Sequence, residues 1–232
     1  MANTYLYKTY GQNAANRKIF TISAWFKRSK LGATQDLISA SRASDGLQTD
    51  VIRFGATDDL EFYAHSTLGN SPFNYQTNRL FRDTSAWYNV VVLVNTTDNT
   101  ASDRVRIYVN GVRETSFSVA NNPVQNDETV WGIGSGVVHN VARVGSSNYF
   151  DGYASHIHYC DGYAYDASDF GSTDATTGEW KIKTEPNVSY GTNGFFIFKD
   201  GNSPTDASPN TNNFAIGVGA GGGLNKTEDN PS

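Results

Sequence analysis

The stretch Arg104-Val-Arg-Ile-Tyr-Val-Asn-Gly-Val-Arg-Glu114 alternates polar and apolar residues straight into Asn-Gly and out again. A period of two puts Val105, Ile107 and Val109 on one face and Arg104, Arg106 and Tyr108 on the other. Asn110-Gly111 supplies the two positive-φ residues that a type I′ turn requires, so the segment declares a β-hairpin in a half-buried antiparallel sheet. A two-residue loop pairing Val109 with Val112 would carry Glu114 and Ser116 to the core face. The register therefore predicts either a bulge near Glu114 or a strand that ends there and restarts at Phe117.

The same reading extends along the chain. Strands are expected over residues 5–8, 20–27, 37–40, 51–54, 60–65, 87–94, 141–144, 153–159 and 195–198, with Gly, Asn or Asp between them. In the second of these, Phe20, Ile22, Ala24 and Phe26 share one face and Thr21, Ser23 and Trp25 the other. Residues 87–94 are nearly all apolar, as in a central strand covered on both faces. Only Asp166-Ala-Ser-Asp-Phe170 reads as a helical turn, with Asp166 as its N-cap. Many strands and no long helix imply two antiparallel sheets packed face to face, a jelly-roll β-sandwich. The domain is expected over residues 1–215, with 216–232 a glycine-rich tail or an arm ordered by a neighbour.

Composition narrows the function classes. The formal net charge is -5 and the Lys and Arg residues are scattered, so no electrostatic footprint for nucleic acid is read. The single cysteine, Cys160, excludes an internal disulfide, and no paired Cys/His zinc spacing occurs. Residues 1–8 lack the basic and apolar regions of a signal peptide, so synthesis in a cytoplasm is expected. No apolar run approaches the roughly 20 residues needed to span a bilayer, and membrane insertion is not expected. The glycosylation-type triplets at Asn95, Asn187 and Asn225 read as surface loops.

Several segments together resemble a known family. Residues 16–29, residues 85–94, Arg104-Val-Arg-Ile-Tyr-Val-Asn-Gly-Val112 and Asn148-Tyr-Phe-Asp-Gly-Tyr153 are similar, in order and spacing, to the concanavalin A-like lectin/glucanase superfamily in its laminin G/pentraxin-like branch. With Asp161-Gly-Tyr-Ala-Tyr-Asp-Ala-Ser-Asp-Phe-Gly171, residues 176–183 and residues 190–196, the chain resembles lectin-like modules in virion surface proteins of tailed bacteriophages. The resemblance covers residues 5–215. It implies a curved jelly-roll sandwich that commonly binds glycans, and a place on tail fibres or the capsid exterior. Its implied partners are other capsid or tail proteins and cell-surface glycans; a homo-oligomer stays open. Fold does not fix function, so the site is argued separately.

Glucanase members of that superfamily carry Glu-x-Asp-x-Glu along one strand, whose carboxylates protonate the leaving group and attack the sugar. The only comparable pair here is Asp59-Leu-Glu61, followed on the same face by Tyr63, so no catalytic residues are assigned. Cys160 reads as a small packed hydrophobe, and no Gly-x-Ser-x-Gly elbow occurs. His156 and His158 would share a strand face in chelating geometry, but no third ligand is identifiable, and a polar sheet face or subunit contact is the preferred reading. Where the related extracellular pattern has an Asp-Glu pair after Phe-Asp-Gly, this chain has Ala154-Ser155-His156. Calcium is the family's frequent metal, and Asp161, Asp166, Asp169, Asp174 and Glu179 are dense enough to raise it. Their spacing matches no dedicated calcium loop, turn capping explains them, and neither metal nor cofactor is assigned.

Sugar recognition sets an aromatic ring against the apolar face of a pyranose and adds amide and carboxylate hydrogen bonds. Trp25, Tyr63 with His65, and Tyr108 fall on the non-core parity of their strands and are candidates to line an outer face. Tyr149 and Tyr163, with Tyr165, lie in or near loops. For each, packing against a loop or subunit is the plainer alternative. The resulting expectation is a non-enzymatic virion surface adhesin, with pure structural decoration and a glycan depolymerase as the alternatives.

Overall fold

A computed structural model describes residues 4–42, 49–65, 72–218, 223–225, 229 and 231. The strands in chain order are β1 (Tyr5–Lys8), β2 (Ile19–Arg28), β3 (Gln35–Arg42), β4 (Thr49–Phe54), β5 (Asp59–Ala64), β6 (Phe73–Leu80), β7 (Tyr88–Asn95) and β8 (Val105–Val109). They continue with β9 (Val112–Arg113), β10 (Phe117–Asn121), β11 (Val137–Val141) and β12 (Gly152–Asp161). The short helix α1 (Ala167–Phe170) leads into β13 (Gly171–Thr173), β14 (Trp180–Ile182), β15 (Phe195–Ile197) and β16 (Ala215–Gly217). An eight-stranded sheet runs β10-β6-β5-β4-β3-β11-β1-β16, a six-stranded sheet runs β15-β12-β2-β7-β8-β9, and β13 pairs with β14. The pairings between these strands are antiparallel. The jelly-roll sandwich read from the sequence is the fold.

The hairpin forms as its alternation dictates. Asn110 and Gly111 have φ of 48° and 78°, Val109 pairs with Val112, and Val105, Ile107 and Val109 are buried in the core. Glu114 answers the register question. The β9 strand stops at Arg113, and the Glu114 carboxylate is held by Arg79 at 2.8 Å. The chain then crosses to the larger sheet, where β10 pairs with β6.

Facing residues from both sheets build the core, with Phe20, Phe26, Phe54, Phe62 and Trp131 fully buried. Each buried Phe contributes roughly 1.5–3 kcal/mol. The β7 strand lies between β2 and β8, with Val90, Val92 and Val94 in this core. Val91 instead joins Cys160, Ala167 and Phe170 in a second cluster. That cluster covers the outer face of the smaller sheet and is closed by Tyr165, Trp180, Val188 and Tyr190. Helix α1 begins at the expected cap, where the Asp166 amide donates to Asp169 Oδ2 at 2.9 Å.

Three expectations change. The strand read over 141–144 ends at Val141, because Ala142 takes φ 72° and turns the chain away. Strand parity fails at His156, whose φ of 45° marks a bulge between Ser155 and His158. The domain passes residue 215, since β16 pairs with β1 through Tyr5↔Gly217. Beyond it, Leu224 packs against the core and Asp229 forms an ion pair with Lys27 and accepts the Trp87 indole N–H at 2.9 Å.

Candidate ligand-binding site

The two sheets differ in what their outer faces offer. On the smaller sheet, Tyr165, Ala167, Phe170, Trp180, Val188 and Tyr190 supply a cover against which Tyr108 packs. Trp25 has the predicted outward parity but is only 4% exposed, which corrects the expectation that it lines an open face. Tyr108 is half-buried against the second cluster and donates its hydroxyl to Asp166 Oδ1 at 2.6 Å. Tyr163 is 42% exposed and stacks on Tyr165, with ring centroids 5.9 Å apart. His158 is buried, stacked on Phe196 and 2.9 Å from the Tyr190 hydroxyl through Nδ1. His156 has a different partner, the Ser155 hydroxyl, 2.7 Å from its Nδ1.

The larger sheet leaves half-exposed side chains on its outer face. Register sets Asp36 of β3, Arg53 of β4, Glu61 of β5 and Gln76 of β6 in one row, and Ser39, Val51, Tyr63 and Asn74 in the next. Directly opposed residues of an antiparallel pair point to the same side, so these rows form one surface. A pocket of about 190 Å³ opens between them, lined by Asp36, Thr49, Val51, Arg53, Tyr63, Val144 and Asn148.

A bulge and a turn position Asp36. The register shifts between Asp36 and Ile38, which sends the successive Leu37 and Ile38 into the core and leaves Asp36 on the outer face. The turn after β11 docks alongside. The Ala142 amide donates to Leu37 O at 2.7 Å, the Ser39 hydroxyl to Arg143 O at 2.7 Å and the Asp36 amide to Asn148 O at 2.8 Å. Asp36 is also bridged to Tyr149 on the side away from β4. The Tyr149 ring lies 6.1 Å from that of Tyr5, which carries the Arg143 guanidinium at 3.2 Å. Exposed Tyr7 continues this row, its ring 5.9 Å from that of Tyr5.

The electrostatics of the pocket are uneven. Arg53 donates through Nε to Glu61 Oε2 at 2.6 Å and sets Nη2 at 2.6 Å from the same oxygen. Asp36 is 1% exposed, and neither of its carboxylate oxygens has a well-formed hydrogen bond. The Asn148 side chain and Val144 amide lie close enough to favour its ionised form without bonding in ordinary geometry. Burial outweighs them and Arg53, and pushes the carboxyl up to about 6.

Of the sequence candidates, Tyr63 lines this pocket and Tyr149 flanks it. His65 lies just past β5, half-buried, with its amide donating to Asp50 Oδ1 at 2.7 Å. Asp36, Arg53, Asn148 and Tyr5 escaped the sequence reading, and only the outward parity of Tyr5 and Arg53 pointed to them. Asp59 is buried and accepts the Thr57 hydroxyl at 2.5 Å. Among the acidic residues considered for calcium, Asp166 and Asp169 cap α1, and Asp174 accepts the Thr176 and Thr177 amides. Asp161 accepts the Asn193 amide. Among the described residues no group of three or more His, Cys, Asp or Glu is gathered for a metal.

Two large antiparallel sheets packed face to face define a lectin-type jelly-roll sandwich. The laminin G model of the concanavalin A-like lectin/glucanase superfamily matches residues 3–159, and the chain belongs to that superfamily. Among solved structures it is similar to the native heptameric SAP-like pentraxin of Limulus polyphemus, with a TM-score of 0.52 and 14% identity over 93% of this chain and 88% of that one. Mouse laminin α1 domains LG4-5 give a TM-score of 0.47 and 10% identity over 84% of this chain and 44% of that one. The Ruminococcus gnavus IT-sialidase CBM40 bound to α2,3-sialyllactose gives 0.41 and 12% over 66% and 86%. No curated protein matches the chain in sequence.

Proposed function

We propose that the chain is a non-enzymatic glycan-binding module that takes a sugar on the outer face of the larger sheet. The observation that carries this reading is the pocket beside the half-exposed Tyr63 ring, with the Asn148 amide and the Asp36 carboxyl among its walls. A ring offers an apolar platform to the C–H face of a pyranose, and the polar groups fix its orientation. The lectin/glucanase family supports the ligand class. Against hydrolysis stand the missing carboxylate triplet and the commitment of Glu61 to Arg53.

The finer reading places this module on the surface of a tailed-bacteriophage particle, where many weak sites act together. The resemblance of residues 161–171, 176–183 and 190–196 supports it, and those residues build much of the cover over the smaller sheet. Its partners are other virion proteins. Antibody labelling of intact particles tests that location, and a protein found only in the host cell interior would refute it.

Binding is tested on an oligosaccharide array with the protein multimerised on beads. Tyr63→Ala is expected to weaken binding about tenfold, the scale of one well-placed aromatic contact. An unchanged Tyr63→Ala profile would contradict the proposed surface, and release of reducing ends from an arrayed glycan would contradict the non-enzymatic reading.

A further inference from the structure

The turn after β11 has a second cluster on its other side, and the inference drawn from it rests on the glycan-binding reading above. Val144 and Asn148 of that turn wall the Tyr63 pocket. Arg143 turns instead toward β1, where its guanidinium lies 3.2 Å from the centre of the Tyr5 ring. That ring is seated against β16 at Gly217, where a Cβ would run into it. Arg143 Nε donates to Asn140 Oδ1 at 3.3 Å, which orients the guanidinium plane.

The cation lacks a counter-charge. Among the described residues no carboxylate lies within ion-pair distance of Arg143, whereas Arg53 on the same outer face is paired with Glu61. Arg143 is only half-buried, and its Nη1 and Nη2 neither bond to a described residue nor are sealed from solvent. A guanidinium whose face is taken by a ring keeps its edge for ligands, and two parallel N–H groups along that edge match two oxygens of a carboxylate or sulfate. Aromatic rings border it. Tyr7, 40% exposed, has its ring 5.9 Å from that of Tyr5, and the half-buried Tyr149 ring lies 6.1 Å away. Such rings are platforms for the apolar face of a pyranose.

Register joins this cluster to the pocket. Tyr7, Asn140, Ser39, Val51 and Tyr63 are successive partners across β1, β11, β3, β4 and β5. Tyr7 and Tyr63 are thus four strand spacings apart, about 19 Å. The Ser39 hydroxyl donates to Arg143 O midway along this row, so the turn stands between the two clusters and contributes side chains to both. An oligosaccharide spans that separation and a single sugar does not. We infer that Arg143, stacked on Tyr5 and bordered by Tyr7 and Tyr149, is a second subsite of this face, which takes the carboxylate or sulfate of an acidic oligosaccharide whose neutral part lies at Tyr63.

The test uses matched oligosaccharide pairs, each neutral glycan arrayed beside its sialylated, uronate-containing or sulfated counterpart. The full chain, Arg143→Gln, Arg143→Lys and Tyr63→Ala are each multimerised on beads, and thermal unfolding checks their folding. The Ser39 bond is to the Arg143 main chain, so neither Arg143 variant removes it. The wild type is expected to bind the acidic member of a pair tenfold or more tighter, the scale of a charge-assisted pair of hydrogen bonds. Arg143→Gln is expected to bring that ratio to about one. Arg143→Lys keeps only part of it, because an ammonium has no paired edge. Tyr63→Ala weakens both members and leaves the ratio. The carboxylate and sulfate pairs show separately which anion is read. Equal binding of every pair by the wild type, or a full ratio in either Arg143 variant, would overturn the Arg143 subsite, and weakened binding by Tyr63→Ala in that case would leave the glycan-binding reading standing alone. Failure of every arrayed glycan to bind would overturn both.

Discussion

Asp36 and Arg53 stand opposite each other in the β3–β4 register, yet the Arg53 guanidinium turns to Glu61 and leaves the Asp36 carboxylate without a bonded partner. The arrangement is a choice between two carboxylates for one cation. Glu61→Gln removes the stronger competitor, so Arg53 becomes available to Asp36. The Asp36 carboxyl is then expected to fall from about 6 toward the ordinary aspartate range. Carboxyl-carbon NMR titration reads this directly, and an unchanged Asp36 midpoint would show that Arg53 does not redistribute.

The Asn110-Gly111 turn is also a packing site. A Cβ at Gly111 would run into the Trp180 ring, and the residue's φ of 78° disfavours any side chain. Gly111→Ala is expected to cost about 1–3 kcal/mol. Thermal unfolding measures the loss. Because Trp180 also donates its indole N–H to Asn89 at 3.0 Å, displacing the ring would change its fluorescence as well.

Arg28 is a buried cation engaged through its terminal nitrogens and the face of its guanidinium. It donates to Phe81 O at 2.7 Å, pairs with Asp58 at 3.0 Å and lies 4.5 Å above the Phe54 ring. Arg28→Met leaves Asp58 buried with only Arg82 and the Gly32 amide to answer its charge. The expected cost is about 3–5 kcal/mol in urea unfolding. A loss under about 1 kcal/mol would show that Arg82 moves in to replace it.

His139 makes stability depend on pH. It is buried, its Nε2 accepts the Gly132 amide at 3.1 Å, and burial followed by the nearby Lys8 charge lowers its pKa from 6.5 to about 3. The unfolded chain therefore binds a proton between these values that the folded chain refuses. The sign follows: this residue's contribution is full above pH 6.5 and is lost as pH falls toward 3. The stability difference between wild type and His139→Gln is expected to shift against wild type by about 1.4 kcal/mol per pH unit in that window. A difference independent of pH would contradict it.

Local patterns predict the scaffold far better than the site. Alternation in the hairpin and in β2, and the apolar run of β7, are enforced by the pleat, so short windows reveal them. The parity of Trp25 was legible, but its burial at 4% exposure was not, because strand alternation says which side a residue faces and not what packs over that side. Asp36 was hidden for a different reason. The bulge beside it buries both Leu37 and Ile38, which breaks the alternation that would have marked an outward carboxylate. Its neighbours Asn148 and Tyr149 arrive from a turn far along the chain, brought there by the pairing of β11 with β3. Tyr63 was found because the in–out alternation is unbroken from Leu60 to Ala64.

The most direct test is an NMR titration of the full chain with a neutral oligosaccharide chosen from the array. The account predicts shifts clustered at Asp36, Arg53, Tyr63, Asn148 and Tyr149, with Trp25, Tyr108 and Tyr163 unmoved. Shifts centred on the smaller sheet's cover, or in the separate cleft of about 340 Å³ beside Trp87 and Tyr153, would contradict it.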